Sequence, residues 1–139
     1  MKRGPTCCVV VVGLTASLAV AAADEAPKPL AEKLASLAGA GARDCGTVLV
    51  DASPEAAFAC AAEATKAGGA YRFAIEFDGP DNAGWQGVAR NAAGKLWTLY
   101  FDSDPAAAAG TGNTLSVVPC SDIRFDAKGD DVIRCKPVL

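Results

Sequence analysis

Four aspartates offer the most reactive arrangement in the sequence. Asp78 and Asp81 follow one alternating apolar run, and Asp102 and Asp104 follow another. If the runs are antiparallel strands of one sheet, both turns fall at one end and the carboxylates converge. Oxygen-rich loops can hold Ca²⁺, which takes about six to eight oxygen ligands. Paired carboxylates can also run acid–base chemistry on a glycosidic bond. The Ca²⁺-loop pattern D-x-[DN]-x-[DN]-G does not occur, and Asx-turn formation is the plainer role. Asp78, Asp81, Asp102 and Asp104 stand as a candidate metal set. Asp126, Asp130 and Asp131 surround Gly129 and read as a solvated hairpin tip.

The second candidate is aromatic. Pairing Arg90 with Lys95 sets Val88 opposite Trp97, Gln86 opposite Leu99 and Trp85 opposite Tyr100. One face then carries Trp85, Gly87, Thr98 and Tyr100. Trp85, Thr98 and Tyr100 would form a ligand platform for a saccharide or a protein loop. The plainer alternative is that the first helix or the 102–113 loop covers them. The opposite face, with Val88, Trp97, Leu99 and Phe101, is expected to be the core face. It also carries the polar Gln86, Arg90 and Lys95.

Other chemistry is poorly supplied. There is no histidine, which removes Ser-His-Asp and Cys-His catalysis and imidazole metal sites. No serine lies in G-x-S-x-G or S-x-x-K. Gly110-Thr111-Gly112-Asn113 lacks the Gly-Lys-Ser/Thr of a phosphate loop. The net charge is −3 and the basic residues are scattered, so no nucleic-acid partner is expected. No catalytic residue and no cofactor is assigned.

Residues 1–23 read as a secretory signal peptide. Lys2 and Arg3 precede the apolar run Cys7–Val20, and Ala21-Ala22-Ala23 supplies a cleavage site. Removal of these 23 of the 139 residues leaves 116, and loss of Lys2 and Arg3 takes the charge to −5. The expected location is secreted or periplasmic, with no membrane insertion after cleavage. Four cysteines would remain: Cys45, Cys60, Cys120 and Cys135. An even count in a small exported chain reads as disulfides. Each neighbouring pair is 15 positions apart, which favours Cys45–Cys60 and Cys120–Cys135. A bridge over such a loop is worth roughly 3 kcal/mol. No C-x-x-C motif supports a redox or zinc role.

These groups must be positioned by few elements. With 51% apolar and 21% charged residues the chain should build one core. Residues 24–43 are expected to be a linker holding a short amphipathic helix, with Leu30, Leu34 and Leu37 on one face. Residues 44–139 should form a single α+β domain. Cys45–Val50 reads as a strand or an extended lead-in. Ser53, Pro54 and Glu55 open a second helix that runs to Lys66 or Ala67, and Gly68-Gly69 stops it. Phe58, Ala61, Ala62 and Thr65 form its expected stripe. From Tyr71 the apolar period becomes two and several strands follow, with Phe73, Phe77 or their neighbours expected, together with Val88, Trp97, Leu99 and Phe101, to meet Phe58 and the alanine stripe. Asn91–Gly94 reads as a four-residue hairpin loop. Cys120 is expected opposite Cys135 in a last hairpin.

The fold class expected is one antiparallel meander sheet of four to six strands on an Ala-rich helix, with both helices on one face. A sheet curled around one helix resembles the cystatin-like and β-lactamase-inhibitor-like architectures over roughly residues 45–138. The inhibitory motif of cystatins is Q-x-V-x-G. Here Gln86-Gly87-Val88-Ala89 is followed by Arg90, so the final glycine is absent and protease inhibition is not carried over. The expected function is a small, non-catalytic, exported binding or inhibitor-like module of the bacterial cell envelope, with a protein or saccharide partner. The alternatives are a structural accessory envelope domain, a small carboxylate-dependent enzyme or a Ca²⁺-binding domain.

Overall fold

Two helices form where local chemistry favours them. The computed structural model describes residues 25–79, 83–103 and 113–139. Helix α1 spans Lys28–Ala38, with a proline in its first turn, where the ring fits and no hydrogen bond is lost. Leu30, Leu34 and Ala38 are its buried stripe, and Leu37 packs beside them. Helix α2 spans Glu55–Lys66. The Glu55 N–H donates to Ser53 Oγ at 3.3 Å, and Glu55 lies at the positive end of the dipole. At the far end the Gly69 N–H donates to the Ala64 carbonyl at 2.8 Å. The buried stripe is Ala57, Phe58, Ala61 and Ala64, whereas Ala62 and Thr65 face solvent.

Six strands make one sheet in chain order. They are β1 (Arg43–Val48), β2 (Tyr71–Asp78), β3 (Ala83–Arg90), β4 (Leu96–Asp102), β5 (Thr114–Phe125) and β6 (Ile133–Pro137). Strands β2 to β6 pair antiparallel, but β1 pairs parallel with β2. The sheet is therefore mixed, not antiparallel throughout. The cause is α2 itself: a helix between two strands returns the chain to the same end of the sheet, as a parallel pair requires.

The β3–β4 register corrects the expected faces. Arg90 pairs with Leu96, so Val88 pairs with Thr98, Gln86 with Tyr100 and Trp85 with Phe101. The loop is one residue longer than expected: Asn91 N–H donates to the Lys95 carbonyl, and Lys95 N–H to Asn91 Oδ1. A slip of one residue exchanges the partners across a strand pair, because side chains alternate.

Both faces of the sheet are covered, by different elements. Helix α1 lies over β2, β3 and β4, burying Ala74, Trp85, Ala89, Leu99 and Phe101 with Leu30 and Leu34. Trp97 packs at the margin of this cluster. Helix α2 lies on the other face, over β1 and β2, with Val48, Tyr71, Phe73, Ile75 and Val88. Trp97, Leu99 and Phe101 thus meet α1, not the Ala-rich helix. Of the residues expected beside Phe58, Phe73 and Val88 are there.

The end of the chain completes the α2 face. Beyond Cys120, β5 leaves β4 and pairs with β6 alone. Phe125 stacks on Phe58 at 4.8 Å between centroids and meets Phe73 edge-on at 5.5 Å. Ile133 is buried in the same cluster. Two disulfides fix these parts. Cys45–Cys60 ties β1 to α2, and Cys120–Cys135 ties β5 to β6. The second pair is not directly opposite. A register shift between Cys120 and Asp122 sets Cys120 against Pro137 and Cys135 against Ile123, so the bridge runs diagonally across 5.5 Å between Cα atoms. Intramolecular disulfides fit an oxidising compartment. No described helix is long and apolar enough to cross a membrane.

Candidate functional site

The expected aromatic platform does not assemble. Trp85 is 7% exposed in the cluster beneath α1. Tyr100 belongs to the α2 face and is 41% exposed. Paired strands carry them, yet they point to opposite sides, because Trp85 pairs with Phe101 and Tyr100 with Gln86. Thr98 is buried on the α2 side and its hydroxyl donates to the Gly87 carbonyl at 3.3 Å. It is a structural group, closed off from solvent.

Gln86 organises this part of the sheet. Its Nε2 donates to the Tyr100 hydroxyl at 3.0 Å, lies 3.3 Å from Thr98 Oγ1, and is 3.5 Å from the Ile133 carbonyl. A buried amide must find such partners. The contacts join β3, β4 and β6 and anchor the tip of Tyr100, whose ring stays accessible. The sequence signal was a polar residue within the apolar pattern of β3.

A second aromatic side chain is exposed on the same face. Phe77 is 42% exposed near the end of β2, where it pairs with Gly84. A Cβ on Gly84 would lie 2.4 Å from the Phe77 ring, so the ring rests on the space that glycine leaves. Strand β1 ends at Val48 opposite Ile75, which leaves the last residues of β2 without a neighbour on that side. There a groove of about 270 Å³ opens between the segment after β1, the end of β2 and the β5–β6 turn. Val50, Ile75, Phe77 and Val132 give it apolar walls. Glu76, Asp78 and Asp130 also line it, and Glu76 accepts from the Val50 N–H at 3.4 Å.

The carboxylate set is only partly accounted for. Asp78 pairs with Ala83 and Asp102 with Gly84, so both flank the start of β3 at one end of the sheet. Alternation sets these two on opposite faces. Asp81 and Asp104 lie outside the described residues. Among the described residues no three His, Cys, Asp or Glu side chains are grouped to hold a metal ion.

A comparable cleft of about 300 Å³ runs between α1 and the β1–β2 edge. Its charges are satisfied within the chain. Arg72 pairs with Asp44 at 3.1 Å, and Asp44 Oδ1 also accepts the Gly46 N–H at 2.9 Å. Comparison of the chain with protein-family models, curated proteins and solved structures gives no match.

Proposed function

We propose that this chain is a small exported binding module that uses the Phe77–Tyr100 end of its α2 face to contact a partner in the cell envelope. The signal-peptide pattern of residues 1–23 and the two disulfides support export. The observation that carries the binding role is the exposure of Phe77 and Tyr100, 42% and 41%, on one face of the sheet. The other described aromatic side chains are buried or half-buried. Aromatic side chains left accessible beside an apolar groove supply contact area at low entropic cost, as binding surfaces do. Catalysis is not part of this proposal, because no nucleophile–base pair is supplied by the sequence.

The test is affinity capture from an envelope extract with the tagged, disulfide-bonded protein, alongside Phe77→Ser and Tyr100→Ala. A partner retained by the parent protein and lost from both folded variants is expected. Equal retention by all three proteins would remove this face from the proposal.

A further inference from the structure

Resting on that proposal, we infer that the groove beside Phe77 takes a basic amphipathic polypeptide segment, with lysine or arginine interleaved with aliphatic residues. Three features of the groove select this partner. Its walls are apolar, and two of them, Val50 and Phe77, are 40% and 42% exposed. Among the described residues its charged lining is of one sign: Glu76, Asp78 and Asp130 contribute carboxylates, and no lysine or arginine lines it. Among the described residues none of these three is in an ion pair. The carboxylates come from two elements: Glu76 and Asp78, which alternate with Phe77 along β2, and Asp130 in the β5–β6 turn.

Complementarity follows from these groups. An aliphatic side chain would enter between Val50 and Phe77, where water is displaced from apolar surface. Flanking ammonium or guanidinium groups would reach Asp78 and Asp130, and one can lie over the Phe77 ring. Among the described residues no serine, threonine, asparagine or glutamine lines the groove. A saccharide would need such fixed hydrogen-bonding groups around the aromatic ring, so a basic peptide fits better. At about 270 Å³ the groove admits one or two side chains, so the partner is an exposed segment. Solvated ion pairs are individually weak and screened by salt.

The probe is a labelled dodecapeptide of alternating lysine and leucine, with glutamate–leucine and serine–leucine peptides as controls. Fluorescence anisotropy is measured with the disulfide-bonded protein at low salt and at about 0.5 M salt. Saturable binding of the lysine peptide is expected, weakened by salt. The double variant Asp78→Asn/Asp130→Asn should weaken it about tenfold at unchanged melting temperature. Val50→Ser, at an exposed position, should weaken it as well, and the remote Glu63→Gln should leave it intact. Equal weakening by Glu63→Gln, or equal binding of the glutamate peptide, would overturn the inference. Serine-peptide binding that matches the lysine peptide and is lost in Val50→Ser would overturn the basic class while leaving the face in use. No binding of any peptide would overturn the inference, and the capture experiment then decides the wider proposal.

Discussion

Gly87 in β3 lies directly beneath Leu34 of α1. A Cβ at Gly87 would stand 2.9 Å and 3.0 Å from the two Leu34 methyl carbons and 3.2 Å from one of Leu30. This approach lets α1 sit on the centre of the sheet and shut Trp85 away from solvent. Gly87→Ala should therefore destabilise the protein by about 1–3 kcal/mol, the usual cost of overpacking. Without the contact, the same change in a strand would stabilise by about 0.4–1 kcal/mol. Urea unfolding of the two proteins gives the sign, and stabilisation would show that α1 does not press on β3.

Leu34 is the complementary probe. It is 2% exposed, and Leu34→Ala should cost about 2–5 kcal/mol, as in other well-packed cores. The half-buried Trp97, at the margin of the same cluster, should cost less when truncated than the fully buried Phe73 on the other face. A Trp97→Ala loss that exceeds Phe73→Ala in urea unfolding would contradict the placement of the two faces.

What the sequence disclosed was local. The Ser53-Pro54-Glu55 start and Gly68-Gly69 stop bracket α2 because such signals act within one turn, although Pro54, not Ser53, takes the N-cap place, with no side-chain cap bond. The equal spacing of the cysteines gave the right pairs because each bridge closes a short segment. The faces of β3 and β4 were not legible. Leu96-Trp97-Thr98-Leu99-Tyr100-Phe101 is apolar or amphipathic at every position, since α1 covers one side and the Gln86–Ile133 contact to β6 partly covers the other. With no clean alternation, the register rested on the Asn91–Lys95 loop, and one extra loop residue exchanged the partners. The parallel β1 was not read, although strand–helix–strand order implies such a pairing. Phe77 was missed as an exposed residue because its alternation with Phe73 and Ile75 looks like a core stripe. The early end of β1 leaves it without a strand neighbour on that side.

Tyr71 should make the protein sensitive to alkali. Burial holds its phenol above the ordinary value of 10.0, with a Thr65 hydrogen bond and the Arg90 charge opposing weakly. The folded protein then retains a proton that the unfolded chain loses. The resulting stabilisation is complete below the unfolded value and is lost as pH rises through the higher folded value. Unfolding followed from pH 8 to about 11 should show declining stability, and Tyr71→Phe should remove part of that slope. An unchanged slope in Tyr71→Phe would assign the alkaline loss to other groups.

Gln86 should matter more than either hydroxyl it contacts. Gln86→Ala removes the amide that joins β3, β4 and the Ile133 carbonyl, at an expected cost of about 1–3 kcal/mol. Tyr100→Phe loses one partner at a half-exposed tip, at about 0.5–1.5 kcal/mol. Denaturant midpoints should fall in that order, and the reverse order would mean that the amide is not the organising group.

The binding role of the groove is tested most directly by crosslinking in the native envelope. A benzophenone amino acid is placed at Val50, in the groove, and separately at Lys33, on the exposed side of α1. Irradiation should give a discrete adduct from Val50 and none from Lys33, and Asp78→Asn/Asp130→Asn should diminish it. An adduct from Lys33 alone, or equal adducts from both positions, would contradict the placement of the partner on the Phe77 groove.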